Sequence, residues 1–155
     1  MKMREGLHPT RRAAFRLVLF AAAFPIAIAS PAHSADQTPL AIKGYDPVAY
    51  FTLGKPMPGL ADVEYEWDER RYRFARPEHR EMFKADPMRY APQFANFCAM
   101  ALSRGVLVEA NPEHWLVSDG KLYIFAAPTG AALFQQDEKA NIDKASQNRR
   151  ILETR

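Results

Sequence analysis

Two stretches of this chain alternate with a period of two and then turn back on themselves. They constrain the fold more than anything else in the sequence. Val63, Tyr65 and Trp67 are separated by Glu64 and Glu66, and after Asp68-Glu69 the pattern resumes as Tyr72 and Phe74 between Arg71 and Arg73. Alternation of this kind gives a strand one apolar face for a core and one charged face for water. The acidic strand opposite the basic one allows ion pairs across the hairpin. A second hairpin is predicted where Trp115-Leu116-Val117 and Leu122-Tyr123-Ile124-Phe125 flank Asp119-Gly120, a pair suited to the left-handed residues of a tight turn.

Two-stranded hairpins are not stable alone and need helices to cover their apolar faces. Pro77 at a first helical position, with Glu78 and Glu81 early and Lys84 late, predicts a short helix that stops before Asp86-Pro87. A second helix is expected from about Gln93 to Ser103, ended by Gly105. From Pro128 the chain reads as helical to about Arg150, with a break near Asp137, because Ala131, Leu133, Phe134, Ala140, Ile142 and Ala145 do not form one continuous stripe. Val48, Tyr50 and Phe51, after the Asp46-Pro47 turn, have strand character. The expected class is α+β, a single domain of small antiparallel hairpins packed with short helices.

The chain has 155 residues and a formal net charge of +3. Lys2, Arg4, Arg11, Arg12 and Arg16 stand against Glu5 alone before residue 36, so the remainder carries a net charge of −1. Basicity therefore gives no reason to expect a nucleic-acid partner for the rest of the chain. The basic start runs into the apolar, small-residue segment ending at Ala29, the pattern of a secretory signal peptide. Cleavage between 29 and 35 is expected, leaving a tether at 36–42, a domain at 43–150 and a tail at 151–155. Pro25 and Pro31 interrupt the apolar run before it reaches the length that spans a bilayer. An exported protein, periplasmic or secreted and free of the membrane after cleavage, is the expectation.

Cys98 is the single cysteine, so no intrachain disulfide can form in that oxidising setting. Beyond residue 35 only Cys98, His79 and His114 belong to the residue types of structural zinc sites, which excludes the zinc-finger class. Cys98 admits two helix registers. If the helix starts at Gln93, Cys98 shares an apolar stripe with Phe94, Phe97, Ala101 and Leu102. If Asn96 is the N-cap, Cys98 is the second helical residue, where free backbone N–H groups and the helix dipole favour thiolate. No nucleophile–His–acid order, phosphate-binding glycine loop or HExxH helix is present, so hydrolase and nucleotide-binding readings find no motif.

KGYDPVAYF at 43–51, VEYEWDERRYRFA at 63–75, FKADPMRYAPQF at 83–94, FCAMA at 97–101 and DGKLYIF at 119–125, in this order, resemble the secreted branch of the YHS-domain family. The resemblance spans roughly residues 40 to 146. That family is distantly similar to TRASH-like metal-binding modules, which implies metal handling for the superfamily. The sequence departs from the pattern at Tyr72-Arg73-Phe74-Ala75-Arg76, where metal-binding relatives carry a cysteine, and at Ala95-Asn96-Phe97, where the secreted branch has Gly-Gly-Tyr. Selenocysteine forms in this branch correspond to Cys98, which implies thiol reactivity.

Three functions follow as expectations. The first is a soft-metal module holding copper as Cu(I) through Cys98, with Met100, His79 or a residue from a protein partner or second copy. The second is a thiol redox protein in which Cys98 is oxidised and then restored by an external reductant. The third is an interaction domain with an inert, buried cysteine. Against the ligand roles, His79 with Met82 and Phe83 reads as a packed histidine, Met100 lies about 200° around a regular helix from Cys98, and Tyr45, Asp46 and Tyr50 read as a turn packed on a sheet.

Overall fold

The computed structural model describes residues 38–153. Strand β1 (Leu60–Trp67) pairs antiparallel with β2 (Arg70–Phe74), and β3 (Asn111–Ser118) pairs antiparallel with β4 (Lys121–Phe125), giving two separate two-stranded sheets. Both hairpins turn where the sequence predicts. Asp68 and Glu69 take φ of 50° and 57°, and Asp119 and Gly120 take 47° and 68°, so each turn uses two successive left-handed residues. That geometry matches the right-handed twist of the flanking strands. The expected cross-strand pairing forms in the first hairpin, where Arg73 Nε donates to Glu64 Oε1 at 2.7 Å and the register sets Glu64 opposite Arg73 and Glu66 opposite Arg71.

Helices fill the intervals. α1 spans Ala49–Thr52, α2 Pro77–Ala85, α3 Pro87–Tyr90, α4 Ala99–Ser103, α5 Gly130–Gln135 and α6 Glu138–Glu153. The α+β architecture of antiparallel hairpins and short helices is as expected from the sequence. α2 begins on Pro77 and ends before Asp86, and the C-terminal helical stretch breaks at Gln136-Asp137. No helix among the described residues is long and apolar enough to cross a membrane.

Two local expectations fail for identifiable reasons. Val48 to Phe51 is not a strand, because the Asp46 carboxylate accepts the N–H groups of Val48 (2.9 Å) and Ala49 (3.3 Å) and so starts the helical turn α1. The helix expected from Gln93 is cut to Ala99–Ser103. Pro92 to Phe97 instead forms turns and bridges, with Phe97 opposite Glu109 and Ala95 at φ 51°. Packing also starts within the stretch read as a tether, since Ala41 and Ile42 are buried and Leu40 bridges Arg71.

The core is aromatic. Phe83 of α2 is fully buried and meets the rings of Tyr65, Trp67, Tyr72 and Phe74 from the first hairpin at centroid distances of 4.6–6.3 Å. Phe134 of α5 meets Tyr123 and Phe125 of the second hairpin in the same way. Offset and edge-on contacts of this kind add about 0.5–1.5 kcal/mol per pair beyond simple burial. Gly130 is required where α5 crosses β4, since a Cβ there would lie 2.6 Å from that of Phe125.

Candidate functional site

Cys98 sits at the junction of the 92–97 turns and α4. It is the N-cap of that helix, its Sγ accepting the N–H of Ala101 at 3.4 Å. Neither register open in the sequence forms: the helix starts at Ala99, later than both, so Cys98 is the N-cap itself and neither a mid-helix residue nor the second helical one. Asn96 is unavailable as a cap because its side chain is used elsewhere: Oδ1 accepts the N–H of Ile42 at 2.8 Å and Nδ2 donates to the carbonyl of Leu40 at 3.2 Å. Those bonds hold a turn in which Ile42, Lys43 and Gly44 are all left-handed, with φ of 48°, 50° and 84°. A β-branched residue is strained in that region, and Ile42 is kept there by burial and by the Asn96 bond.

The thiol is 5% exposed. Beside it the chain returns through an exposed segment, Arg104 to Glu109. Cys98 N–H donates to Val108 O at 2.8 Å and Ala110 N–H to Asn96 O at 2.8 Å, while Val106 N–H donates to Ala101 O at 3.1 Å. Val106, Leu107 and Val108 are exposed apolar residues on this segment. Met100, half-buried in the first turn of α4, has its Sδ 3.9 Å from Ser103 Oγ, whose hydroxyl donates to the Met100 carbonyl.

His79 belongs to a different place. It is 4% exposed, and its Nδ1 lies 2.6 Å from Oδ2 of Asp46, which is fully buried. Asp46 also accepts the N–H groups of Val48, Ala49 and Ala75, so one carboxylate ties α1, the end of β2 and α2 together. The other ring nitrogen of His79, Nε2, is 3.2 Å from Thr52 Oγ1. With both nitrogens engaged, His79 would have to release a partner to ligate a metal. His114 is half-buried near Asn111, 3.4 Å from its Nδ2. Among the described residues no group of three His, Cys, Asp or Glu side chains is placed to hold a metal ion.

The tyrosines of the opening motif are likewise bound into the fold. Tyr45 donates to Glu113 Oε1 at 2.5 Å, and that bond holds its pKa above the usual tyrosine value. Tyr50 donates to Pro112 O at 2.9 Å and packs on Trp115, its pKa raised chiefly by burial. Burial also pushes Tyr72 up to about 12.

The sequence gives no sign of the hydroxyl–imidazole–carboxylate contact of Thr52, His79 and Asp46. The three residues are in no motif order, and only the tertiary fold brings them together, His79 of α2 reaching Thr52 at the end of α1 and Asp46 before it. Fold and site thus define a class, an α+β domain with one buried N-cap thiol and a separately buried imidazole–carboxylate pair. Comparison with family models, curated proteins and solved structures finds no match to this chain.

Proposed function

We propose that this chain is an exported YHS-like domain that handles a soft metal, taking Cu(I) on the thiol of Cys98. The observation that carries the reading is the bond from Ala101 N–H to Cys98 Sγ. A sulfur that caps a helix has one weak donor and lone pairs left over for a soft ion, which displaces the thiol proton as it binds. Cu(I) is content with soft donors in low number, and Met100 supplies the nearest thioether along the chain. Its flexible side chain can exchange the Ser103 hydroxyl for a metal. A second copy or another exported protein is the alternative source of the second donor. His79 takes no part, since its ring is committed to Asp46 and Thr52.

The test is anaerobic Cu(I) titration against a chromogenic chelator. One equivalent should be retained by the native protein, none by Cys98→Ser, and a weakened fraction by Met100→Leu. Retention by Cys98→Ser equal to that of the native protein would overturn the reading. The same lightly held sulfur supports a second reading, a thiol redox protein in which Cys98 attacks peroxides or disulfides. That reading is preferred if Cys98 binds no copper but forms a sulfenic acid on peroxide treatment.

A further inference from the structure

We propose that Thr52 is an activated hydroxyl able to accept an acyl group from a small activated ester, with His79 as its general base and Asp46 orienting the imidazole. The inference is independent of Cys98. It rests on three distances: Asp46 Oδ2 to His79 Nδ1, 2.6 Å; His79 Nε2 to Thr52 Oγ1, 3.2 Å; and Thr52 Oγ1 to Val48 O, 3.0 Å. A carboxylate on Nδ1 fixes the proton there and leaves the lone pair of Nε2 directed at the hydroxyl. Nucleophile within hydrogen-bond reach of a base, and base held by a third group, is the arrangement that activates serine and threonine hydroxyls.

Several features make this more than a satisfied core histidine. Asp46 is fully buried and bonded by three backbone N–H groups besides the imidazole, so the base is rigidly placed. Thr52, by contrast, is exposed, at the last residue of α1. Its single hydroxyl proton has two acceptors, the Val48 carbonyl and His79 Nε2, so turning to the imidazole breaks only one local bond. The chain then passes through Leu53 in the right-handed region and Gly54 at φ 62°. Successive right- and left-handed residues turn their amides to one side and form an anion-binding concavity. Leu53 N–H donates to Ala49 O, whereas among the described residues the N–H groups of Gly54 and Lys55 have no backbone acceptor. They are the donors available to an oxyanion formed beside Thr52. A Cβ at Gly54 would meet nothing within 4 Å, so the space beside the turn is open.

The step balances without any further reagent. Thr52 Oγ attacks the ester carbonyl carbon as His79 Nε2 takes the hydroxyl proton. The tetrahedral oxyanion collapses with cleavage of the bond to the leaving alcohol, which receives that proton, leaving an acyl ester on Thr52. Water, deprotonated by the same nitrogen, then releases the carboxylic acid and restores the hydroxyl. An exposed hydroxyl beside an open turn suits a small, unhindered acyl group on a good leaving group, such as an aryl acetate.

The experiment treats the purified protein with p-nitrophenyl acetate, following nitrophenolate release and locating the acetyl group by peptide mass mapping. The expected result is acetylation at Thr52 and release about a hundredfold or more above that of Thr52→Val, the low end for a positioned base. Thr52→Ser, which keeps the hydroxyl, should retain the activity. Thr52→Val leaves the Asp46–His79 contact in place and therefore decides the question even if substitutions of His79 fail to fold. Release by Thr52→Val at the native rate, or acetyl found only on Cys98 or lysines, would overturn the proposal.

Discussion

Asp46 and Cys98 hold comparable positions. Both are buried, at 0% and 5% exposure, and both accept N–H groups at the start of a helix only four or five residues long. They are held in opposite ways. The Asp46 carboxylate receives three backbone N–H groups and an imidazole, drawn from α1, α2 and the end of β2. The Cys98 sulfur receives one N–H from its own helix at 3.4 Å. A carboxylate with four donors is fixed in place and can act only through the imidazole it holds. A thiol with one weak donor is not so fixed, and a serine hydroxyl could serve that cap at least as well. The comparison teaches that burial alone does not separate a structural polar group from a chemical one; the number and origin of its partners does.

Asp46→Ala should give the largest effect. It leaves the His79 ring and the N–H groups of Val48 and Ala75 without their acceptor, a loss of about 3–5 kcal/mol by the behaviour of broken buried pairs. Urea unfolding followed by circular dichroism measures it. A loss below about 1 kcal/mol would mean that Asp46 is no more committed to the fold than Cys98, and the contrast would collapse.

A smaller and opposite change is expected three residues before the thiol. Ala95 sits at φ 51°, where a Cβ is penalised. Ala95→Gly should therefore stabilise the protein by roughly 0.5–1 kcal/mol, the relief of strain offset in part by the greater freedom of glycine in the unfolded chain. It should leave Cys98 reactivity unchanged. The glycine expected at this position from the YHS resemblance has this physical meaning: the turn into Cys98 needs a left-handed residue.

The parts of the fold legible in the sequence were those specified locally. Asp68-Glu69 and Asp119-Gly120 mark turns within a few residues of the strands they join, and Pro77 and Gly105 mark helix ends. The α1 turn was misread as strand because Val48, Tyr50 and Phe51 have β character, which the side chain of Asp46 overrides. The 92–97 segment was misread as helix because its geometry is set by Asn96 reaching Ile42 and Leu40, more than 50 residues away in sequence. Likewise, the Thr52–His79–Asp46 contact spans 27 and 33 residues of sequence, and no spacing in the chain announces it. His79 as a packed histidine was readable, because apolar neighbours lie beside it, whereas both registers read at Cys98 start the helix too early.

The Cys98 thiol is expected to be available for chemistry in the folded protein. The exposed 104–109 segment runs beside it, bonded to the Cys98 region through Val108 O and Val106 N–H, and local opening there is expected to expose the sulfur without global unfolding. The most direct test is the rate of Cys98 alkylation by iodoacetamide in native buffer, set beside the global unfolding rate from denaturant kinetics extrapolated to water. The account predicts alkylation well above the unfolding-limited rate, with Cys98→Ser changing stability by less than about 1.5 kcal/mol. Alkylation limited by global unfolding, together with a loss of several kcal/mol in Cys98→Ser, would make Cys98 a core residue and contradict the account.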